Sequence, residues 1–295
     1  MNNILNEIME LMKDAGTRQI ETGVPGLSMI KGDIPSHQLA ALYEPMIGFT
    51  VQGTKILSIG ERSTDLEGPS YYVLPMHVPA TASVHPDRYG RPYMSLGLKL
   101  NQNVLQRLLR DIPENLLPTA SGHFAACEMD IEFMEAWLRL LRLLKTPRDI
   151  PALAPAYERE ILYRVLTGPQ GWYLMQFGLQ ESNLSKMSQI VKWVRINFMR
   201  PIDIGELASK AGMAINTFHR QFKRATGLSP IQFQKQLRLL EARNLIAFEG
   251  YPVASAAYHV GYQSPSQFNR EYSRFFGSSP ARDTENIRRI ESTRN

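Results

Sequence analysis

Ile202-Asp-Ile-Gly-Glu-Leu-Ala208-Ser-Lys-Ala-Gly212-Met-Ala-Ile-Asn-Thr-Phe218-His-Arg220-Gln-Phe222-Lys-Arg-Ala-Thr-Gly227-Leu-Ser-Pro230 is followed, further along the chain, by Val253-Ala-Ser-Ala-Ala257-Tyr-His-Val-Gly261-Tyr-Gln-Ser-Pro-Ser-Gln-Phe268-Asn-Arg270-Glu-Tyr272-Ser-Arg-Phe-Phe-Gly277-Ser-Ser-Pro280. Both copies read Ala-x3-Gly, then Phe-x-Arg-x-aromatic, then Gly-x-x-Pro; the second has one extra residue in its turn. An internal repeat of this kind fixes architecture before any other signal is weighed. Asp203 with Glu206 has the form of a capping box and predicts a short helix start. Ala208 and Ala257 are small enough for two helices to cross closely. Gly212 and Gly261 end those helices, where a left-handed residue is cheap only for glycine. A second helix after a short turn completes a helix-turn-helix. Phe218 and Phe222 share one face of that helix, and Phe268, Tyr272 and Phe275 do the same in the second copy.

The opposite faces carry Asn216, His219, Arg220 and Lys223 in the first copy, and Ser266, Gln267, Arg270 and Arg274 in the second. Arginine suits guanine bidentately, and Asn and Gln suit adenine. Asn216, His219, Arg220, Ser266, Gln267 and Arg270 are therefore the candidate base readers. Thr217, Lys223, Arg224 and Arg274 are the candidate phosphate contacts, which add affinity without sequence information. A solvated helix face is the alternative for any one charged helix. Two copies with the same arginine two residues after the phenylalanine argue against it. Between them, Ile231–Ala247 is predicted to be one long helix, with Leu239, Ala242 and Ile246 at helical spacing and Lys235, Arg238 and Arg243 interleaved.

These residues resemble the AraC/XylS family of bacterial transcription regulators. The likeness covers residues 184–283 and is densest in Gly261-Tyr-x-Ser264-x-Ser266-x-Phe268-x-Arg270-x-Tyr272-x3-Phe276-Gly277-x-Ser279-Pro280. Ala214 departs from it, standing where the family usually places a capping serine. The resemblance implies two recognition helices entering successive major grooves about one turn of DNA, ~34 Å, apart.

Charge follows the same division. Residues 181–295 carry 17 Lys and Arg against 9 Asp and Glu, whereas residues 1–180 carry 16 against 19, for a net +5 over the 295-residue chain. A basic module beside a mildly acidic one fits a DNA-binding part joined to a part with another task. Residues 24–100 hold short β-forming segments punctuated by Gly and Pro: Gly26–Ile30, Gln38–Tyr43, Ile47–Gln52, Lys55–Ile59, Tyr71–Leu74, Ala80–Val84 and Tyr93–Leu100. That spacing predicts an antiparallel sandwich or small barrel. Tyr43-Glu-Pro45-x5-Val51-Gln-Gly53-x-Lys55 and Pro92-Tyr93-x4-Gly97-Leu-Lys-Leu100 are similar to the N-terminal sensor domain of one AraC-type subgroup. The resemblance implies a cupin-like barrel that binds a small effector. Many cupins hold a metal, but His37, His77 and His85 form no His-x-His pair, so no metal or cofactor is expected. A cupin metalloenzyme carrying a DNA-binding domain is the alternative reading.

Helices are expected at Asn103–Arg110, Glu128–Lys145 and Ala156–Leu166, the last starting at Pro155. The wide apolar stripe of Glu128–Lys145 has two readings, a subunit interface or packing on the chain's own barrel. The single cysteine, Cys127, is either a small packing residue or a redox sensor. The amphipathic start, Met1–Ala15, lacks the features of a signal peptide, and no apolar run approaches a membrane span. The fold class is thus α+β in two domains: residues 1–180, a cupin-like barrel with a helical platform, and residues 181–283, an all-α double helix-turn-helix. Residues 284–295 form a polar tail, and everything after residue 280 is expected to fray. The expected function is a cytoplasmic, non-enzymatic regulator. Its partners would be double-stranded DNA, a small-molecule effector, RNA polymerase and, on one reading of the stripe, a second copy of itself.

Overall fold

A computed structural model of the protein describes residues 2–17, 19–34, 36–118, 124–179 and 182–294. The chain divides into two units, Met1–Leu39 with Tyr43–Lys186, and Met187–Asn295 with the short stretch Ala40–Leu42.

The first unit opens with helix α1 (Asn2–Leu11), which buries Ile8. There follow β1 (Ile20–Glu21), β2 (Leu27–Lys31), α2 (Ser36–Leu39), β3 (Ala41–Tyr43, of which only Tyr43 belongs to this unit), β4 (Met46–Gln52), β5 (Thr54–Ile59), β6 (Arg62–Glu67), β7 (Ser70–Leu74), β8 (Val78–His85) and β9 (Met94–Lys99). Then come α3 (Gln102–Asp111), β10 (Cys127–Glu128), α4 (Ile131–Arg142), α5 (Ile150–Leu166) and α6 (Gly171–Gly178). One sheet has six strands in the order β1-β2-β9-β4-β7-β10. In a second, four-stranded sheet, β8, β5 and β6 are successive neighbours. The pairs are antiparallel.

Strand β4 is buried on both faces. Alternation sends Ile47, Phe49 and Val51 to one side and Gly48 and Thr50 to the other. On the first side Phe49 meets Trp137 of α4 with ring centroids 5.6 Å apart, and Tyr71 meets Phe133 edge-on at 4.9 Å. On the second side the register aligns Gly97, Gly48 and Tyr72 in one row and Ser95, Thr50 and Ser70 in the next. One face of the six-stranded sheet is therefore an ordinary apolar core, and on the other the Tyr72 ring lies over Gly48 beside a row of small hydroxyl side chains. Gly53 closes the β4–β5 hairpin with φ +79°. A Cβ there would also press on the His85 carbonyl and the Tyr93 backbone, so glycine is required twice over.

The expected strands are present, β1 and β10 are added to them, the helix expected from Glu128 starts at Ile131, and the remaining elements differ as follows. Arg62–Glu67 is a strand where no β-forming segment was expected. Gln38–Tyr43 is not one strand but a helical turn ending at Leu39 and the short β3. Helix α5 begins at Ile150, with Pro151 in its first turn and Pro155 inside it, so the expected start at Pro155 is corrected. A proline in the first turn removes no bonded N–H, whereas Pro155 forgoes one helical hydrogen bond. Residues after 280 form helix α13 (Pro280–Arg294) rather than a fraying tail.

The stripe on α4 is spent within its own unit. Phe133, Met134, Trp137, Leu138, Leu140 and Leu141 are buried, and α4 packs against α1 and α5. Ile131, the first residue of the helix, is 48% exposed.

The second unit is helical: α7 (Asn183–Asn197, shared with the end of the first unit), α8 (Ile204–Lys210), α9 (Ile215–Thr226), α10 (Pro230–Ala247), α11 (Val253–His259), α12 (Pro265–Phe276) and α13. Helix α10 starts with a full capping box, Ser229 with Gln232, and carries Pro230 in its first turn. It packs against both α9 and α12.

Candidate DNA interface and barrel interior

Each candidate reader helix is anchored by its aromatic face. Phe218 and Phe222 are fully buried and stack in sequence onto Phe233 of α10, with centroids 5.7 and 5.6 Å apart. Phe268 and Tyr272 are fully buried in the second copy, where Phe268 sits 5.3 Å from Tyr262. Ala208, Ala256 and Ala257 are buried where helices cross, as their size allows. Gly212, Gly227, Gly261 and Gly277 all have positive φ at helix ends. At Gly261 a Cβ would strike the Met199 carbonyl and the Arg238 guanidinium. That glycine is therefore fixed by a close approach as well as by its torsion.

With the aromatic faces inward, the opposite faces are open. Asn216, Arg220, Lys223 and Arg224 are exposed on α9, and Thr217 and His219 are half-buried. Ser266, Gln267, Arg270 and Arg274 are exposed on α12, as is Asn269, which the sequence reading did not single out. The helix starts differ. Ser264 caps α12 by accepting from the Gln267 N–H at 3.4 Å, whereas Ala214 offers α9 no side-chain cap.

What holds α12 in place was not legible in the sequence. Glu271 gathers Lys235 of α10 at 2.7 Å, the Tyr262 hydroxyl at 2.9 Å and the Gln267 amide at 3.1 Å. Burial pushes the Glu271 carboxyl up. The hydrogen bonds from Lys235, Gln267 and Tyr262 outweigh that, and it titrates below the usual carboxylate range. Gln267 thus enters any base contact from an existing bond to Glu271. Arg243 of α10 makes a two-pronged pair with Asp283 of α13 at 2.8 and 2.9 Å, and Tyr272 donates to the same carboxylate at 2.8 Å. Arg243 also lies 4.2 Å above the Phe276 ring. Arg238 donates to the carbonyls of Phe198, Met199, Arg200 and Gly261. Of the three basic residues interleaved along α10, all are engaged inside the unit. They hold α10 to α12 and to the segment around Phe198–Arg200.

In the first unit, Lys55 projects from β5 between the two sheets. Its Nζ lies 3.4 Å from the Tyr72 hydroxyl of the opposite sheet and 4.4 Å from the centroid of the Tyr43 ring. It is 6% exposed, and burial pulls its ammonium down to about 7. Burial raises the phenols of Tyr43 and Tyr72 and pushes Tyr93 up to about 12. The Tyr93 hydroxyl lies beside those of Ser95 and Thr50, which draw its phenol partly back down, though the contacts fall outside ordinary hydrogen-bond geometry. A separate cleft of about 500 Å³ opens between α1 and the barrel rim, lined by Asn2, Asn6, Met9, Gln52, Tyr89 and Arg91.

The three histidines considered as ligands lie apart in role. His37 is in α2, His77 is buried between β7 and β8, and His85 ends β8 with a 3.1 Å bond to Ser83. Among the described residues no three His, Cys, Asp or Glu side chains converge as a metal site would need. Cys127 is partly exposed in β10, 3.5 Å from the Gln170 amide. No helix among the described residues is long and apolar enough to cross a membrane.

A family model described as the N-terminus of AraC-type transcriptional regulators matches residues 23–173, just over half of the chain. The chain belongs to this family. A helix-turn-helix domain model matches residues 207–286, which takes in all of the second copy of the repeat and all but the first five residues of the first. The transcriptional activator RhaS of Escherichia coli O157:H7 is 30% identical over 135 residues, 45% of this chain and 46% of that protein. RhaS of Salmonella dublin is 27% identical over 179 residues, 60% of this chain and 61% of its own. The matches thus span about half the length of these curated relatives. ToxT of Vibrio cholerae, solved with an unsaturated fatty acid bound, shares the fold: the TM-score is 0.55 at 11% identity, over 90% of this chain and 97% of ToxT.

Proposed function

We propose that the chain is a sequence-specific, DNA-binding transcription regulator whose N-terminal barrel senses a small molecule. The observation that carries this is the pair of aromatic-anchored helices, α9 and α12, both packed on α10 and both exposing an arginine two residues after a buried phenylalanine. Asn216, His219 and Arg220 read one short segment of a duplex, and Ser266, Gln267 and Arg270 read a second about one turn, ~34 Å, away. Thr217, Lys223, Arg224 and Arg274 take phosphates. Effector binding in the first unit changes how the readers are presented. The boundary we assign lies between residues 180 and 187. The sensor is not an enzyme, and the molecule works in the cytoplasm with RNA polymerase as a further partner. A homodimer would use a surface other than the α4 stripe, which is already buried.

The test is selection of binding sites from random duplex DNA by the full chain. Two short specified segments one turn apart are the expected result. Equal retention of all sequences at matched salt would instead make this an architectural DNA-binding protein.

A further inference from the structure

We propose that Lys55 anchors an acidic group on the molecule the barrel binds, which makes the effector a small organic acid. The inference rests on the reading of the barrel as an effector site and names the chemistry of that site.

Lys55 is the one charged group on a strand face that is otherwise apolar. Its neighbours across β5 are Leu66 on β6 and Val84 on β8, both buried. Its amine finds a phenol and an aromatic face but no carboxylate. A buried ammonium without an anionic partner is costly, and proteins keep such groups where an anion or a reaction uses them. The depressed titration of this amine has desolvation as its cause, with no compensating charge beside it.

The wall opposite is suited to a polar ligand. The six-stranded sheet turns Ser70, Thr50 and Ser95 toward this side in one row. The Ser70 hydroxyl is buried without a hydrogen bond, and the Thr50 and Tyr93 hydroxyls have only each other and Ser95 nearby, outside ordinary geometry, although buried hydroxyls are ordinarily satisfied. An oxyanion accepts from the Lys55 ammonium and from hydroxyl donors such as Tyr72 and Tyr93 at once, each bond strengthened by low dielectric. The rings of Tyr43 and Tyr72 bound the apolar body of the molecule. The sequence stretch Tyr43-Glu-Pro45-x5-Val51-Gln-Gly53-x-Lys55 acquires a physical meaning: Gly53 makes the hairpin that aims Lys55 inward, and Tyr43 supplies the ring above it.

The experiment measures thermal unfolding of the full chain at pH 6.5 and matched ionic strength. The probes are acetate, hexanoate and benzoate, their primary amides, and the polyols glycerol and glucose. The variants are Lys55→Met and Lys55→Gln. A carboxylate is expected to raise the unfolding temperature of the unmodified chain in a saturable way, while its amide does not. Both variants are expected to weaken that carboxylate on the order of 10- to 100-fold, the usual worth of a charge-assisted bond. Without any probe, Lys55→Met is expected to unfold at a higher temperature than the parent. Equal responses to acid and amide, retention of the acid response by both variants, or a destabilised Lys55→Met would each overturn the proposal. A response to amides or polyols alone ends the acid anchor and leaves the effector reading standing. No response to any probe counts against both.

Discussion

Removing Asp283 tests how α12 is held. The Arg243 and Asp283 side chains are only 10% and 12% exposed, so neither is screened by solvent. Asp283→Ala strands the Arg243 guanidinium in a site built for a pair, and it also takes the acceptor from the Tyr272 hydroxyl. Breaking a buried pair from one side costs about 3–5 kcal/mol, because the remaining charge is uncompensated. For a unit of this size that is a fall of roughly 10–25 °C in unfolding temperature. Replacing all three members with apolar groups, Arg243→Met with Asp283→Leu and Tyr272→Phe, strands nothing. It is expected to recover most of the loss. The assay is thermal unfolding of the full chain together with hydrogen exchange read on α10, α12 and α13 peptides. Exchange in those helices rises in Asp283→Ala and returns toward the parent level in the triple variant. A change under about 0.5 kcal/mol in the single variant, the range of neutral surface substitutions, would refute the reasoning. So would a triple variant as unstable as the single one.

Lys223→Ala is expected to weaken binding to all DNA sequences alike and to reduce the slope of log affinity against log salt by about one; a sequence-selective loss in a salt titration would contradict it. Ala214→Ser supplies α9 with the cap it lacks and is expected to add about 0.5–1 kcal/mol in urea unfolding; no gain would mean that the loop before α9 cannot present a hydroxyl. Lys55 sets a pH dependence. Its folded pKa, about 7, lies below its ordinary 10.5, so the folded state binds the proton less tightly than the unfolded chain. Stability therefore rises between pH 7 and 10.5 and is lowest below 7, by an amount on the order of several kcal/mol. Unfolding measured across that range should show the rise in the parent and lose it in Lys55→Met; parallel curves would place the lysine in water.

What the sequence disclosed was whatever repeats or alternates locally. The paired motif delivered α8, α9, α11 and α12 with their inward aromatics and outward arginines, and the missing cap at Ala214 was visible as a departure from pattern. Strand β6 escaped because Leu66 is its only buried residue, which leaves no alternation to read. It exists through its ladder to β5. Helix α13 escaped because its composition is polar. Its order comes from distant partners, Asp283 on Arg243 and Arg288 on the carbonyls of Ile246 and Ala247, with Ile287 buried between. The start of α5 was misplaced because two prolines compete for the first turn, and spacing alone does not choose between them. The Glu271 cluster and the lone Lys55 were invisible for one reason: both are defined by what stands across the fold from them, and a single sequence does not pair strand with strand or helix with helix.

The central claim is that α9 and α12 read separate segments of one site. The most direct measurement is binding-site selection repeated with Arg220→Ala and with Arg270→Ala. Each variant is expected to relax preference in one segment only, a different one for each, at a cost of about 1–3 kcal/mol on the parent's preferred site. Unchanged preferences in both variants, or the same segment relaxed by both, would contradict the account.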